Sequence, residues 1–319
     1  MLVNRAAVIY YPGRVDLAAV KREIQAIVEK GNWEPTLFLP TEEHEHGREQ
    51  TLRALAQNAT HFLVAGGDGT IREVASALHE SGSSATLGLI PSGTGNVLAR
   101  NLNLNLGNIG ACVRQGMLGN RHPIDLALAR IIHDSGERSE HRFVVMAGLG
   151  LDAQIMQATD SKRKHRLGWV AYIEGGFKSM PLKYERLAVS IDSGEARNLR
   201  VLTLLVGNAG WLPGHIGLMP DASLDDGELD LAAIGPRRLW HWIDFWGRVT
   251  WANRRLRPTR IGRKLLDATA NVKTLENLTG RKVRVTPTHP VHLQLDGDAY
   301  GAVLEVEFEV LPRAISVRV

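Results

Sequence analysis

The stretch that most constrains the fold is an apolar run of strand length that meets a glycine-rich corner. Residues 62–65 lead into Gly66-Gly67-Asp68-Gly69-Thr70, and residues 71–78 follow with apolar side chains at helical spacing. This layout lets backbone N–H groups approach an anion closely, because glycine has no Cβ to hold a phosphate away. Thr70 could cap the helix or bind a phosphate oxygen, and Asp68 beside phosphates indicates an intervening Mg²⁺.

The same corner also fits a sharp turn that needs glycine only for its geometry, since short glycine motifs often occur without a ligand. The chain, however, repeats the design one strand later. Residues 87–91 lead into Ser92-Gly93-Thr94-Gly95-Asn96 and then into a second helix-like stretch. Ligands of parallel sheets lie at the carboxyl ends of strands, where both corners fall. Two corners facing each other across a cleft favour an anion site over a purely structural turn.

The first third of the chain alternates strand-like and helix-like segments. Such alternation predicts a parallel α/β sheet with right-handed crossovers. The predicted strands are residues 8–10, 36–39, 62–65 and 86–91, and the predicted helices are residues 17–28, 49–57 and 71–80. We therefore predict an α/β nucleotide-binding domain over residues 1–122.

From about Pro123 the pattern changes to short alternating or apolar runs separated by turn residues. These runs predict a mostly antiparallel β-rich domain over residues 123–304. They are residues 124–129, 142–146, 187–191, 201–206 and 229–234. Residues 303–310 and 314–319 alternate with period two, so we expect strands of about 305–319 to close a sheet begun elsewhere.

Composition and charge bound the class of protein. The chain has 319 residues with a net charge of +4, which favours an anionic partner without selecting one. Its one cysteine, Cys112, excludes an intramolecular disulfide and indicates a reducing compartment. The first residues lack the features of a signal peptide, and no run reaches the roughly 18 apolar residues that span a bilayer. We expect a cytoplasmic protein.

Residues 237–260 combine tryptophans at helical spacing with a following cluster of arginines. This composition is typical of a helix on a membrane surface, because tryptophan prefers the interface and arginine prefers anionic headgroups. A helix that packs its tryptophans into the protein core is the alternative. No sequence signature of a nucleic-acid-binding fold accompanies the stretch, so we expect no nucleic-acid partner.

The ordered set of motifs resembles the diacylglycerol kinase catalytic-domain family, which includes bacterial lipid kinases and is similar to sphingosine and ceramide kinases. Together the motifs span nearly the whole chain. They are Gly66–Thr70 written above, Pro91-Ser92-Gly93-Thr94-Gly95-Asn96, Ile124-Asp125, Ala147-Gly148-Leu149-Gly150-Leu151-Asp152, Gly207-Asn208, Ala222-Ser223-Leu224-Asp225-Asp226-Gly227-Glu228-Leu229-Asp230 and Leu295-Asp296-Gly297-Asp298.

The resemblance implies transfer of the γ-phosphoryl group of ATP to a lipid hydroxyl, with Mg²⁺ required. The implied fold is a Rossmann-like nucleotide domain, of the phosphofructokinase and NAD kinase type, joined to a C-terminal β-sandwich. The final strands would return to the first domain, with the active site between the two. The implied partner is a lipid at the membrane surface, reached by peripheral association. A homodimer is a further expectation.

The family's functional residues transfer onto matching positions. Asp296 matches the proton acceptor, and Asp298 completes the catalytic pair. The resemblance places the nucleotide phosphates on residues Gly66, Gly67, Asp68, Gly69, Thr70, Gly93 and Thr94, with Thr41 nearby. A structural Mg²⁺ would bind Asp226 and the carbonyl groups of Ser223 and Glu228, and the carboxylates of Asp68 and Asp125 would surround the catalytic metal.

Three positions depart from the family pattern. Val97 stands where many members have Asp, so one metal-linked carboxylate is missing. Asp298 stands where Glu is frequent, which keeps the charge but shortens its reach. Arg72 replaces a common Asn, and it would either add a phosphate contact or point to solvent.

The residues also allow other interpretations. By composition alone, Asp296-Gly297 is an ordinary hairpin turn. A carboxylate within reach of a weakly nucleophilic hydroxyl would nevertheless serve as the base that phosphoryl transfer needs. The leading hypothesis is a lipid kinase. The alternatives are a kinase of a soluble hydroxyl compound such as NAD, and a nucleotide-binding regulator without turnover.

Overall fold

The computed structural model describes residues 3–42, 46–150, 184–212, 216–235 and 275–319. The first lobe alternates strands and helices, as the sequence predicts. Its elements are β1 (Asn4–Tyr10), α1 (Leu17–Val28), β2 (Trp33–Pro40), α2 (Arg48–Leu55), β3 (His61–Ala65), α3 (Asp68–Glu80), β4 (Thr86–Leu89), α4 (Val97–Asn101) and α5 (Ile109–Leu118). The four strands are parallel in the order β2-β1-β3-β4.

Parallel strands are covered on both faces, and this explains the unbroken apolar runs of the first lobe. All five residues of β3 are buried. Helix α1 covers one face of the sheet with Val20 and Ile24, and Asp16 caps it by accepting the backbone N–H of Ala19 at 2.9 Å. The α/β fold class predicted for this part of the chain is confirmed.

Helix α3 begins at Asp68, three residues before the predicted start. Its N-cap residue is Gly67, and no side chain caps the helix. The suggestion that Thr70 is the cap is therefore wrong, because Thr70 lies inside the first turn. The glycines bring the helix start directly to the end of β3, so the first turn of the helix forms the loop itself.

The second lobe is an antiparallel β-sandwich. Its strands are β5 (Arg121–His133), β6 (Arg138–Phe143), β7 (Met146–Gly150), β8 (Glu185–Ile191), β9 (Arg197–Val201), β10 (Thr203–Gly207), β11 (Trp211–Leu212), β12 (Ile216–Gly217), β13 (Leu229–Ile234), β14 (Leu275–Gly280), β15 (Lys282–Pro287), β16 (Val291–Leu295) and β17 (Asp298–Arg318). One path of pairing runs β14-β13-β10-β7-β16-β17, and the other runs β9-β8-β15-β17-β5-β6. Both paths contribute to one core, which includes Leu204, Leu293 and Phe308.

Strand β17 joins the two lobes. Its first residues pair with β16, its middle pairs with β15, and Ser316 and Val317 pair in parallel with Thr86 and Leu87 of β4. Strand β5 runs antiparallel beside it over most of its length. The sequence runs predicted as two strands are thus one strand with an irregularity between Leu311 and Ile315. The domain boundary predicted between residues 122 and 123 falls within β5 and stays a prediction.

Two other predicted strands are each divided. The run over residues 142–146 breaks between β6 and β7, and the run over residues 201–206 breaks at Leu202. The expected tryptophan and arginine helix of residues 237–260 lies outside the described residues. In the described ranges, no helix has the length and apolar character needed to cross a bilayer.

Candidate active site

The first glycine loop presents the N-terminus of α3. The N–H of Ile71 donates to the carbonyl of Gly67 at 3.1 Å, so the N–H groups before it lie ahead of the first helical bond. Such groups carry the positive end of the helix dipole and bind anions. A Cβ on Gly66 would lie 2.8 Å from Cβ of Thr70, which explains why this corner requires glycine.

The second glycine loop lies directly against the first. A Cβ on Gly93 would stand 2.6 Å from Cα of Gly67, so the two backbones are already in contact. Asn96, at φ +48°, holds the second loop: its Oδ1 accepts the N–H of Gly93 at 2.9 Å, and its Nδ2 donates to the Gly93 carbonyl. The loops therefore meet as the sequence indicates, and Thr94 is exposed.

Asp68 ties the two loops together. Its Oδ1 accepts the backbone N–H of Val97 at 2.8 Å, at the start of α4. A Cβ on Gly95 would lie 2.9 Å from its Oδ2. Burial and the nearby charge of Asp296 raise the pKa of Asp68 to about 6, although backbone N–H groups of α4 oppose the shift. Asp68 thus belongs to the same electrostatic site as Asp296.

Asp296 lies in the tight turn between β16 and β17, at φ +48°. Its Oδ2 accepts the N–H of Val144 at 2.9 Å, and its Oδ1 accepts those of Val145 and Met146 at 2.9 and 3.0 Å. Val144 and Val145 form the break between β6 and β7, and Met146 begins β7. At this break the chain leaves its pairing with β5 and starts to pair with β10 and β16, so the predicted strand of residues 142–146 is interrupted. The carboxylate is fixed in orientation by the main chain.

The turn that carries Asp296 lies against the first glycine loop. A Cβ on Gly69 would be 3.4 Å from Oδ2 of Asp298. The Asp298 side chain is about half exposed and pairs with Arg72 of α3 at 3.0 Å. The structure thus brings the predicted catalytic pair, Asp296 and Asp298, to the predicted phosphate loop.

The electrostatics around Asp296 pull in two directions. Burial raises the pKa of its carboxyl, whereas the positive charge of Arg72 and the N–H groups of Val144, Val145 and Met146 lower it. Burial prevails, so the pKa lies above its usual value. A carboxylate with a raised pKa is a stronger base, which is the property a proton acceptor needs.

Asp125 lies with a different group of residues. It is fully buried; its Oδ2 accepts the N–H of Gly227 at 2.7 Å, and its Oδ1 accepts that of Arg313 at 2.6 Å. Its own N–H donates to the carbonyl of Leu224. The structure therefore brings Asp125 together with the loop of residues 223–228, whereas the sequence analysis placed it with Asp68 around the catalytic metal.

That loop carries an excess of acidic groups. Asp226 is exposed as a whole, but its carboxyl is partly shielded from water. This partial burial, and after it the charges of Asp125 and neighbouring acids, raises the pKa of Asp226. Asp230 is 7% exposed, and burial together with Asp226 raises its pKa to about 6. Mutual repulsion of this kind is relieved by a bound cation. Within the described ranges, however, no three metal-ligating side chains converge on one point.

Thr41 lies at the carboxyl end of β2 and is 3% exposed. Its hydroxyl donates to the carbonyl of Tyr10 at 3.3 Å, so it is engaged at the end of β1. Its expected contact with the nucleotide stays a prediction.

The sequence analysis named two polar groups of the site, Arg72 and Asn208, but missed the contacts that they make. Arg72 is 5% exposed, so the suggestion that it points to solvent is wrong. Asn208 is fully buried, and its Nδ2 donates to the carbonyls of Asp125 and Val144. It thus links the surroundings of Asp125 to those of Asp296. The departure from the family pattern at position 72 was the signal for Arg72, and the motif Gly207-Asn208 was the signal for Asn208.

Comparison with known proteins agrees with this arrangement. Residues 5–129 match the diacylglycerol kinase catalytic domain, and residues 144–250 match the YegS C-terminal NAD kinase beta sandwich-like domain. The diacylglycerol kinase of Bacillus subtilis (strain 168) is 31% identical over 257 residues, which cover 80% of this chain and 76% of that protein. This chain belongs to the diacylglycerol kinase family.

Other members of the family match over more of the chain. The diacylglycerol kinase of Staphylococcus aureus (strain MRSA252) is 27% identical over 317 residues, covering 98% of this chain and 92% of that one. The crystal structure of a diacylglycerol kinase from Bacillus anthracis str. Sterne superposes with a TM-score of 0.73 at 19% identity, covering 99% and 96% of the two chains. A structural neighbour outside these kinases is an NAD kinase from Archaeoglobus fulgidus in complex with ATP. It gives a TM-score of 0.50 at 12% identity, covering 99% of this chain and 93% of that one.

Proposed function

We propose that this diacylglycerol kinase family member transfers the γ-phosphoryl group of ATP, with Mg²⁺, to the hydroxyl group of a lipid such as diacylglycerol. The observation that carries the proposal is the contact between the Asp296–Asp298 turn and the first glycine loop. It sets a carboxylate with a raised pKa beside a helix N-terminus that suits phosphates. Phosphoryl transfer requires this combination of an anion site and an oriented proton acceptor.

The loops fit the phosphates of a nucleotide. A Cβ on Gly93 would press against the backbone of Gly67, and a Cβ on Gly66 would press against the Thr70 side chain, so both loops need glycine. Without these Cβ atoms a phosphate can approach main-chain N–H groups closely. The hydroxyl oxygen of Ser92 is buried without a hydrogen-bond partner in the described part of the protein. Such an atom at the start of the second loop is suited to a ligand. We assign the phosphates to residues 66–70 and to the loop of Gly93 and Thr94.

The acidic groups fit a divalent cation in two places. Mg²⁺ in nucleotide sites usually needs only one or two carboxylates, because phosphates and waters complete its shell. Asp68 can serve as such a carboxylate where Val97 supplies none. Asp226 and the carbonyl groups of Ser223 and Glu228 would hold a structural cation. The cation would offset the desolvation that mainly raises the pKa of Asp226, and also the repulsion from Asp125 and neighbouring acids. When bound, Mg²⁺ neutralises phosphate charge.

Asp296 is the proposed proton acceptor. Its Oδ2 accepts one hydrogen bond from the main chain, and its Oδ1 accepts two, so Oδ2 retains more capacity to accept a proton from an incoming hydroxyl. The N–H groups of Val144, Val145 and Met146 hold the carboxylate in place as the proton moves. Asp298 completes the pair by lying over Gly69.

The lipid acceptor and peripheral membrane association are part of the same proposal. The names of the related kinases support diacylglycerol, and the tryptophan and arginine stretch of residues 237–260 supports a membrane surface. Cytoplasmic location and a homodimer remain predictions.

The test is phosphoryl transfer by the purified full chain from radiolabelled ATP. We expect label in the product when diacylglycerol is presented in mixed vesicles with Mg²⁺, and none when EDTA replaces Mg²⁺. NAD, supplied in place of lipid, is the matched acceptor control. Label in NAD alone would favour the soluble-substrate alternative, and ATP binding without transfer to either acceptor would favour a regulator.

A further inference from the structure

Arg72 projects from the first turns of α3 to the turn between β16 and β17. Its NH1 donates to the carbonyl of Leu295 at 3.0 Å, and its NH2 lies 3.0 Å from Oδ2 of Asp298. These two acceptors flank Asp296, one on each side. A single planar guanidinium therefore bridges the two ends of the turn that carries the proposed proton acceptor.

The surroundings of Arg72 show that the guanidinium is held in place. Its side chain is 6% exposed, and its NH2 also lies 3.3 Å from Oε1 of Glu73. Its Cζ lies 5.9 Å from the ring centre of Tyr300, which in turn contacts the ring of His141. A buried cation is costly unless it is paired and hydrogen-bonded, and here the carboxylates of Asp298 and Glu73 and one carbonyl provide the partners.

Support of the turn matters because Asp296 adopts a left-handed conformation, which costs free energy for residues other than glycine, although least for Asp and Asn. Gln294 supports it from inside, since its Oε1 accepts the N–H of Gly297 at 2.8 Å. Arg72 supports it from α3, the helix whose N-terminus forms the first glycine loop. The guanidinium thus connects the proposed phosphate site to the proposed proton acceptor.

We infer that Arg72 is a positioning residue for phosphoryl transfer: its guanidinium fixes the Asp296 turn at a set distance from the N-terminus of α3. This inference rests on the proposed function. Arg72 acts on Asp296 through Leu295 and Asp298, and no hydrogen bond or ion pair of the described residues joins it to Asp296 itself. Its loss should therefore affect the rate of transfer more than the binding of ATP, because a displacement of about 1 Å can lower a rate about a hundredfold.

The experiment compares Arg72→Asn and Arg72→Lys with the wild-type chain. We measure kcat and KM for diacylglycerol in vesicles, and the Kd and stoichiometry of a non-hydrolysable ATP analogue with Mg²⁺. We expect Arg72→Asn to lower kcat at least tenfold, with the analogue's Kd and stoichiometry within twofold of wild type. Lysine keeps the charge but cannot bridge both acceptors, so Arg72→Lys should give an intermediate kcat.

Arg48→Gln is the matched control, because Arg48 pairs with Glu80 at the opposite end of α3. It should leave kcat within twofold of wild type. If Arg72→Asn does not fold, Arg72→Lys decides: a wild-type kcat would overturn the inference. A parallel loss of kcat and ATP-analogue stoichiometry would show a structural role only and would also overturn it. Absence of transfer by the wild-type chain would instead overturn the proposed function, and the role of Arg72 with it.

Discussion

At Asp296 and Asp125, main-chain N–H groups from distant parts of the chain hold a carboxylate. Asp296 receives them from the break between β6 and β7, and Asp125 from Gly227 and Arg313. Hydrogen bonds from fixed backbone groups orient a carboxylate without the entropy cost of ordering a second side chain. Each carboxylate therefore depends on the correct folding of elements far from it in sequence.

His61 provides a test at the scale of one residue. It is 3% exposed; its Nε2 accepts from the NH2 of Arg318 at 2.8 Å, and its ring contacts Trp33. Burial, then the charges of Arg318 and Arg121, lowers the pKa of His61 from 6.5 to about 4. The folded state therefore favours the neutral ring. The contribution of His61 to the free energy of unfolding is fully present above pH 6.5 and is lost as the pH falls towards 4.

We expect His61→Gln to reduce this dependence, because a glutamine carbonyl can accept from Arg318 without titrating. Between pH 7 and pH 4.5 the wild-type free energy of unfolding should fall by about 2 kcal/mol more than that of the variant, a value discounted for solvent screening. Urea unfolding at both pH values measures the difference. Equal pH dependence in the two proteins would contradict the role given to His61.

The sequence indicates which side chains are candidates for the site, but not which groups those side chains contact. Asp296, Asp298 and Asp68 were predicted from motifs, and the structure brings them together. Arg72 was recognised only as a departure, because its two partners in the Asp296 turn lie more than 200 residues away in the chain. Asp125 was expected beside Asp68, and no local pattern shows that it folds onto the loop of residues 223–228.

At the scale of elements, two strand–loop–helix units lie side by side. Strands β3 and β4 are adjacent and parallel, so their carboxyl ends bring the two glycine loops together. The loops touch through Gly67 and Gly93, and Asp68 caps the second unit from the first. The two units therefore form one candidate anion site.

Gly93→Ala tests this contact. The added Cβ would stand 2.6 Å from a backbone atom of Gly67, so the two loops must separate. We expect a loss of about 1–3 kcal/mol in the free energy of unfolding and at least a tenfold weaker affinity for an ATP analogue. Urea unfolding and calorimetric titration measure the two effects.

Gly107→Ala is the control for that substitution, since its Cβ would come no nearer than 3.9 Å to Asn105. It should leave the affinity for the ATP analogue unchanged. Wild-type affinity in Gly93→Ala would mean that the phosphates bind away from the contact between the loops.

Hydrophobic periodicity predicted most elements of the first lobe because those strands are covered on both faces and the helices on one. It failed where an element is set by long-range pairing. The run of residues 142–146 looked like one strand, but β6 pairs with β5 and β7 pairs with β10 and β16, so the run is divided. Strand β17 looked like two strands, and pairing with β5 makes it continuous.

At the scale of the whole molecule, the candidate site lies where the two lobes meet. Strands β5 and β17 run through both lobes, and Glu80 at the end of α3 pairs with Arg142 of β6. The first lobe supplies the glycine loops and Arg72, and the second supplies Asp296 and the main-chain groups that hold it. Neither lobe contains the complete site.

The two-lobe architecture was predictable from the sequence in outline. Alternating strands and helices followed by antiparallel patterning indicated an α/β domain and a β-rich domain, and the family motifs indicated their order. How the lobes are joined was less accessible, because the crossing of β5 and β17 between the lobes depends on their long-range pairing with each other and with β4. The boundary predicted at residue 122 follows from the change to short strand-like runs, whereas the structure continues β5 through that point.

Asp296→Asn tests most directly the claim that the candidate site between the two lobes carries out phosphoryl transfer. Asparagine keeps the shape of the side chain but cannot take up the proton of an incoming hydroxyl. Transfer of label from ATP to diacylglycerol is measured for the variant and the wild type, together with the Kd of an ATP analogue. We predict a loss of kcat of about 10²-fold or more with a Kd within twofold of wild type. Transfer at the wild-type rate by a folded Asp296→Asn chain would contradict the account.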